Sequence, residues 1–383
     1  MEDVLRRSRE LVESYEELVR AELPAGVEIF DAHTHLGLDI DGMQGDLDEL
    51  LKVQRAHGIT QSFMFCLDEP DRHPGFRAPN DRTLDYGERS DGELIPFVRL
   101  DLTAEPIEEA VRCLDRGACG IKLHPRAQKF ALDDERLAPI FELAADRKVP
   151  ILIHGGRGLP PIADHLARVL DRYEAQLIIA HAGIADLAAL AGHFSGRPRV
   201  FFDTSVWSPL DLLDLYRLVS PEQVLYASDY PYGTQPSSLL LSIRTARMAG
   251  LDDTQIEAML GGSARRIAAG EEALPLTAPR GPASVSHPLT FARIHQYLSM
   301  ATPLLWTRQA DTIGVLGLAL NACNEKANGH REETERIREL LSTAHDLWRR
   351  FPEAEDEAER VRTARLAFRL LHLANITAVT SAV

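Results

Sequence analysis

Histidines and acidic residues recur at the ends of short apolar segments in the first 230 residues. His33 and His35 lie two positions apart in the segment VEIFDAHTH. Side chains two apart on an extended chain point to the same side, with Cα atoms about 7 Å apart. Both imidazoles can therefore reach one ion. Imidazole and carboxylate groups are the ligands expected for zinc and similar first-row divalent ions, so the spacing predicts a metal site.

Further polar side chains end later apolar segments in the same way. Lys122 and His124 end ACGIKLH, His154 ends VPILIH, His181 ends QLIIAH, and Asp229 ends QVLYASD. In the last three segments the residue two before the polar one is apolar, so each segment carries core residues below and a polar group at its end. We predict that these ends meet in one active site.

The apolar segments alternate with amphipathic ones. Strands are predicted at 27–33, 60–67, 94–100, 118–124, 149–154, 176–181, 199–205 and 223–229, and helices at 46–56, 105–116, 133–147, 160–173, 184–195 and 209–219. Buried strands that alternate with helices indicate parallel βα units. Eight units predict an α/β fold, a (β/α)8 TIM barrel with its active site at the carboxyl ends of the strands. An open doubly wound sheet is the alternative, but the glycine-rich turn typical of it is missing after the first strand.

The chain divides into four predicted regions. They are an N-terminal helix (1–26), the barrel (27–270), a linker rich in Pro, Ala and Ser (271–288) and a helical C-terminal domain (289–383). Apolar residues of the last region recur at spacings of three and four, as in helices that bury one face. We expect this region to pack on the barrel's flank or to form a homodimer contact, outside the active site.

Composition and charge exclude several classes of partner. The net charge of −16 opposes binding to nucleic acid or to an anionic membrane surface. Four scattered cysteines without a CxxC spacing indicate a reduced, cytoplasmic protein. The N-terminal segment has no apolar core of signal-peptide length, and no run approaches the roughly 18 apolar residues of a membrane span.

Five motifs occur in order on successive predicted strands or just after them. They are DAHTHLG (31–37), GIKLHP (120–125), ILIHGG (151–156), IIAHAG (178–183) and YASDYPYG (226–233). Together they resemble the metal-dependent hydrolases of the amidohydrolase superfamily, and most closely the amidohydrolase-related branch that includes the aminocarboxymuconate-semialdehyde decarboxylase type. The resemblance covers residues 27–269. The sequence departs from the family pattern at Ser263, where an Asn is common, and the region beyond 275 has no counterpart in the family.

The resemblance implies one divalent metal, Zn²⁺ by preference and otherwise Mn²⁺ or Fe²⁺. The ligands that it implies are His33, His35, His154 and Asp229, with His181 near the metal-bound water. A bound metal lowers the pKa of its water from 15.7 to about 7. Asp229 can take the proton and deliver it to the leaving group, while His181 can polarise the carbonyl or hold the water.

These features predict a metal-dependent hydrolase that acts on a C–N or C–O bond of a small carbonyl compound through a metal-activated water. Non-oxidative decarboxylation of an unsaturated or aromatic carboxylic acid on the same metal platform is the alternative. A third reading is a non-catalytic role in which the helical C-terminal region binds a partner, and the intact ligand set argues against it.

Lys122 and His124 leave the number of metals open. In some superfamily branches a lysine at this place is carboxylated and bridges two metals, so a binuclear centre is the alternative to the single metal that we favour. His124 can also bind substrate. Arg99, Arg126 and Arg157 lie at or just past predicted strand ends. They could clamp a carboxylate, and we therefore expect an acidic small-molecule substrate.

Overall fold

The computed structural model describes residues 2–280, 288–306, 312–325, 330–350 and 357–381. Within them one sheet has the strand order β2-β1-β3-β4-β5-β6-β7-β8-β9. The strands are β1 (Ile29–Leu38), β2 (Gln44–Gly45), β3 (Ile59–Cys66), β4 (Leu94–Arg99), β5 (Gly120–Leu123), β6 (Pro150–Ile153), β7 (Gln176–Ile179), β8 (Val200–Asp203) and β9 (Val224–Leu225). Only β2 runs antiparallel to its neighbour, so β1 and β3–β9 supply the eight parallel strands that the sequence predicts.

The helices of the first 280 residues begin with one that precedes β1, and the others lie between or after the strands. They are α1 (Glu2–Glu22), α2 (Leu47–Ala56), α3 (Arg77–Arg89), α4 (Pro106–Leu114), α5 (Pro125–Gln128), α6 (Ala138–Arg147), α7 (Ala163–Arg172), α8 (Leu187–Phe194), α9 (Pro209–Leu218), α10 (Ser237–Met248), α11 (Asp253–Glu257) and α12 (Ser263–Ala268). The C-terminal region adds α13 (Leu289–Trp306), α14 (Thr312–Ala322), α15 (Arg331–Arg350) and α16 (Glu357–Thr380). None of these described helices is long and apolar enough to cross a membrane.

Contacts between the first and last strands close the sheet into a barrel. The backbone N–H of Ala32 donates to the carbonyl of Tyr226 over 2.9 Å, and the N–H of Asp229 donates to the carbonyl of His33 over 2.9 Å. Thr34 and Tyr230 form a further parallel bridge. The (β/α)8 barrel with helices outside it and a helical C-terminal extension confirms the predicted fold.

Large apolar side chains fill the lumen. A cluster of buried residues from successive strands includes Phe30, Phe63, Phe97, Leu152, Ile178, Phe201 and Leu225. The Phe63 ring lies 4.7 Å from that of Phe30 and 4.6 Å from that of Phe97. At Gly120 a Cβ would lie 2.5 Å from the Phe97 ring, so only glycine fits there. This layer of buried side chains fills the barrel below the polar strand ends.

The C-terminal helices lie on the barrel's flank, as the sequence predicts. Helix α16 packs against α1, α9 and α10, and the hydroxyls of Tyr15 and Thr377 lie 3.0 Å apart. The same helix reaches loops at the carboxyl ends of the strands. There the Arg369 guanidinium donates to the carbonyl of Gln235 over 2.6 Å, and His372 contacts the carbonyl of Trp207 at 3.1 Å.

The predicted linker lies partly outside the described residues. Residues 271–280 have no regular secondary structure, and residues 281–287 are not described. Helix α13 begins at Leu289, where the predicted C-terminal domain begins. The four-region division itself stays a prediction.

Candidate metal centre

Three side chains converge at the carboxyl end of the barrel. His33 and His35 come from β1, and Asp229 comes from the turn after β9. The Nε2 atoms of His33 and His35 are 3.1 Å apart, and Asp229 Oδ1 lies 3.3 and 3.4 Å from them. One ligand atom of each residue lies within 4.8 Å of the other two. The three donors can therefore surround one cation.

The backbone of Asp229, which carries its side chain toward His33 and His35, has a strained conformation. Its φ of 60° is in the left-handed region, which a non-glycine residue rarely occupies. The N–H of Asp229 donates to the carbonyl of His33, and the N–H of His35 donates to the carbonyl of Tyr230 over 2.7 Å. Surrounding hydrogen bonds thus hold the strained residue beside β1, as is common at functional sites.

Asp203, at the end of β8, orients His33. Its Oδ2 lies 2.7 Å from His33 Nδ1, and both side chains are buried. A carboxylate only accepts, so Nδ1 carries the proton and Nε2 keeps its lone pair toward Asp229. The other oxygen, Oδ1, accepts from the backbone N–H of His181 over 2.8 Å. Asp203 was missed in the sequence, although it ends the apolar segment RVFFD in the pattern that marks the other site residues.

His181 has a defined tautomer. Its Nδ1 lies 2.8 Å from the carbonyl oxygen of Ser205, which only accepts. Nδ1 therefore carries the proton, and Nε2 is an acceptor. The His181 ring centroid is 5.1 Å from that of His33 and 4.6 Å from that of His154. His181 thus lies between the three-residue cluster and His154, which follows β6.

His154 and His124 form a stacked pair beside His181. Their ring centroids are 3.9 Å apart and their planes differ by 11°. The backbone N–H of Ala127 donates to His124 Nδ1 over 3.3 Å, so His124 also caps α5. His154 is not among the three residues whose ligand atoms converge. Its role as a metal ligand, and that of His124 toward substrate or a second metal, stay predictions.

Lys122 extends into the same buried space from β5. Its Nζ lies 3.3 Å from His33 Nε2 and 4.5 Å from the centre of the Phe65 ring. Burial lowers the pKa of Lys122 to about 7, although the nearby carboxylates of Asp203 and Asp229 oppose that shift. A lysine with such a pKa exchanges protons near neutral pH, and its neutral amine is the form that carboxylation requires.

Burial sets the charge state of the cluster. It lowers the pKa of both His33 and His35 well below the usual value, and the positive charge of Lys122 adds to the effect. Burial also raises the pKa of Asp229, which Lys122 partly offsets. Neutral imidazoles are the form that binds metals. A divalent cation would in turn favour the ionised form of Asp229, so the donor set fits a metal of the zinc type.

A second buried carboxyl group supports β1. Asp31 Oδ1 accepts from the backbone N–H of Ser228 over 2.9 Å and from that of His33 over 3.2 Å. Gln235 Nε2 lies 3.3 Å from the other oxygen. Burial raises the pKa of Asp31 to about 7, although these hydrogen bonds oppose the shift. Asp31 links β1 to the turn that carries Asp229, a role that the sequence does not reveal.

The three predicted arginines lie in different environments. Arg99 ends β4 and is 2% exposed, and its Nε and Nη2 atoms have no hydrogen-bond partner among the described residues. Burial, His33 and Lys122 lower the pKa of His35, burial and Lys122 lower that of His124, and the charge of Arg99 adds to both shifts. Arg126 and Arg157 are exposed on the segments that follow β5 and β6. Only Arg99 is buried with the cluster, and substrate binding by any of the three stays a prediction.

Comparisons with known proteins agree with this architecture. The amidohydrolase family model matches residues 30–267, which is more than half of the chain. IDCase from Metarhizium anisopliae, in its apo form, is 18% identical, with a TM-score of 0.51 over 65% of this chain and 98% of that chain. A 2,6-dihydroxybenzoate decarboxylase is 17% identical, with a TM-score of 0.50 over 64% of this chain and 98% of that chain. At such identities the two structures show the fold alone.

No curated protein matches the sequence. The family match and the barrel are sufficient for an assignment at the level of the family. The chain belongs to the amidohydrolase family.

Proposed function

We propose that this member of the amidohydrolase family is a metal-dependent hydrolase acting on a C–N or C–O bond of a small carbonyl compound. The observation that carries the proposal is the convergence of His33 Nε2, His35 Nε2 and Asp229 Oδ1 at the catalytic end of the barrel. We assign Zn²⁺ as the metal, with Mn²⁺ and Fe²⁺ as alternatives that suit the same donors. His154 is the candidate for a further ligand.

The metal supplies one part of the chemistry and the chain supplies the rest. A bound divalent metal lowers the pKa of water from 15.7 to about 7 and so provides a nucleophile at neutral pH. Asp229 accepts a proton at its carboxylate and returns it to the leaving group. His181 Nε2 is an acceptor, because Nδ1 donates to Ser205. His181 is therefore suited to holding a water molecule rather than to polarising a carbonyl.

Arg99 favours an acidic substrate. Its buried guanidinium lies 4.7 Å from the centre of the Phe76 ring, and its ion-pair partner among the described residues, Asp68, is 3.8 Å from Nη2, which is too far for a hydrogen bond. A desolvated guanidinium with unpaired donors is a strong partner for a carboxylate. A substrate carboxylate held beside the metal cluster also suits decarboxylation. Non-oxidative decarboxylation of an aromatic or unsaturated acid is therefore the second candidate. One of the two similar structures named above is a 2,6-dihydroxybenzoate decarboxylase.

One set of assays separates the two reactions. The purified, metal-loaded protein is tested on small lactones, esters and amides, with acid release as the readout, and on aromatic and unsaturated acids, with CO2 release as the readout. Acid release without CO2 supports hydrolysis, and CO2 release supports the alternative. Arg99→Gln should raise KM for carboxylate substrates about tenfold or more, because a hydrogen bond to a charged group contributes about 1.5–3 kcal/mol. Arg168→Gln, on an exposed arginine of α7 outside the predicted site, is the control.

Metal stoichiometry tests the rest of the proposal. Elemental analysis should find about one zinc, manganese or iron per chain. A ratio near two would support a binuclear centre built on carboxylated Lys122, and no metal in freshly purified protein would contradict the proposal. We further propose that the protein is cytoplasmic and that any homodimer contact involves the C-terminal helices.

A further inference from the structure

A cavity of about 330 Å³ lies between the barrel loops and the C-terminal helices. Tyr230 and Tyr232, from the loop after β9, form one wall, and Arg365, Phe368 and Arg369 of α16 form the other. Its volume is at the lower end of the range of small-molecule sites, about 300–1000 Å³. No residue of the three-residue metal cluster lines it among the described residues. The cavity thus adjoins the candidate metal centre without including its ligands, since the Tyr232 ring lies 6.0 Å from that of His35.

Part of the wall is apolar and aromatic. Val53 of α2, Trp348 of α15 and Val361 of α16 line it together with the two tyrosines and Phe368. Such a wall favours a ligand with a flat aryl or short alkyl body, whose transfer from water contributes about 25 cal/mol per Å² of apolar surface.

The polar part of the wall is basic. Arg365 donates from Nη2 to the carbonyl of Gln44 over 2.8 Å, and Arg369 donates from Nη2 to the carbonyl of Gln235 over 2.6 Å. The Nε atom of each guanidinium is buried and has no acceptor among the described residues. Both side chains are only partly exposed. Two desolvated guanidinium groups with unused donors favour an anionic acceptor.

Two carboxylates also line the cavity, but both residues are exposed to solvent. Asp41 accepts from the backbone N–H of Met43 over 2.8 Å, and Glu49 lies in the first turn of α2. Burial lowers the pKa of Arg369, and the negative charges of Glu16 and Glu49 partly offset that shift. Because exposed carboxylates keep their hydration, the half-buried guanidiniums dominate the interior of the cavity.

We propose that this cavity is a second binding site, for a small amphipathic anion with an aryl or alkyl body and a carboxylate. The body lies against Trp348 and Phe368, and the carboxylate lies against Arg365 and Arg369. Such a ligand also touches the segment that carries Asp229, because Tyr230 follows it directly and accepts from the N–H of His35. The site exists whichever reaction the metal centre performs.

The test uses 4-phenylbutyrate as the probe and its neutral amide as the matched ligand. Isothermal titration on the full, metal-loaded protein should show one site per chain, with the amide bound at least about tenfold more weakly than the acid. Arg365→Gln should weaken binding of the acid about tenfold, as expected for one lost charge-assisted hydrogen bond. Arg362→Gln, on an exposed arginine of the same helix, should leave it unchanged. Ala364→Leu should weaken acid and amide alike by filling the cavity.

The following results would contradict the proposal. Equal affinity for acid and amide, or unchanged affinity in Arg365→Gln, removes the anion site. No binding at millimolar probe removes the site altogether. Loss of binding in His33→Ala or in Arg99→Gln would show that the probe occupies the metal centre instead. None of these results bears on metal content or turnover, so the proposed function is tested separately.

Discussion

The strand-end face of the barrel and the C-terminal helices bury different kinds of side chain. At the strand ends His33, Arg99, Lys122 and Asp203 are at most 2% exposed. In the C-terminal helices the fully buried residues are mainly Leu, Ile and Ala, among them Ile337, Leu340, Leu341, Leu370 and Leu373. Several buried threonines there bond back to their own helix, as Thr343 does to the carbonyl of Glu339 over 2.8 Å.

This difference separates parts of the molecule that act chemically from parts that stabilise. Burying a charge costs several kcal/mol unless good partners compensate it, and replacement by apolar residues is often neutral or stabilising. Apolar burial contributes about 25 cal/mol per Å² without such a penalty. The strand-end charges therefore indicate function, while the apolar side chains packed between the C-terminal helices contribute stability. The following predictions test that division, beginning with the largest effect.

Removal of a convergent ligand should abolish metal binding and activity. His33→Ala and Asp229→Ala should each lose the metal and lower turnover about 10³-fold or more, because the metal contributes several kcal/mol to the reaction. Elemental analysis and kinetics on the same preparations measure both effects. His193→Ala, on an exposed histidine of α8, is the control and should change neither. Full metal retention in both site variants would refute the three-residue cluster as the metal centre.

Truncation of an apolar side chain in the C-terminal region should reduce stability without affecting the metal. Leu340→Ala removes a fully buried leucine and should lower the free energy of unfolding by about 2–5 kcal/mol. Leu289→Ala, at a side chain that is 74% exposed, should stay within about 0.5 kcal/mol. Urea unfolding and metal analysis provide the readouts. A loss of metal from folded Leu340→Ala would mean that the two regions do not have separate roles.

Asp203→Asn should weaken metal binding while the protein stays folded. The amide cannot hold the proton of His33 Nδ1 as the carboxylate does, and loss of such a partner reduces metal affinity about 10–100-fold. Competition with a chelator measures the change. Asp164→Asn alters a similar carboxylate–histidine pair, with His193, on the surface and should have no effect. Equal metal affinity in wild type and Asp203→Asn would show that Asp203 does not position the ligand.

Asp31→Asn should change how stability depends on pH. The folded pKa of Asp31, about 7, is above its usual value of 3.8 because the group is buried. The folded protein therefore holds this proton more tightly. The stabilisation that comes from the protonated Asp31 is fully present below about pH 4 and is lost as the pH rises to about 7, by about 1.4 kcal/mol per pH unit.

The isosteric amide cannot ionise, so Asp31→Asn should gain stability relative to wild type between pH 5 and pH 8. Urea unfolding of the metal-free proteins at both pH values measures this gain, with the exposed residue Asp146 changed to Asn as the control. A constant difference between the two proteins would mean that Asp31 is ionised throughout this range.

The sequence by itself determined the elements and their order. Apolar runs that alternate with amphipathic segments define strands and helices locally, and all eight predicted strands occur within a few residues of their expected positions. The position of His33 and His35 on one face of β1 also follows from local geometry, because the side-chain period of a strand is two. A polar residue at the carboxyl end of a predicted strand is expected at the active-site end of the barrel, since all parallel strands end on that face.

Only the tertiary structure decided which strand ends meet. Asp203 lies 170 residues from His33 and yet orients it, because barrel closure brings β8 close to β1. His154 ends its strand as predicted but lies outside the convergent set, and of three similar arginines only Arg99 is buried. The cavity beside α16 also depends on how the C-terminal helices pack on the barrel. Such distances depend on strand tilt, loop paths and packing, which no local pattern of residues specifies.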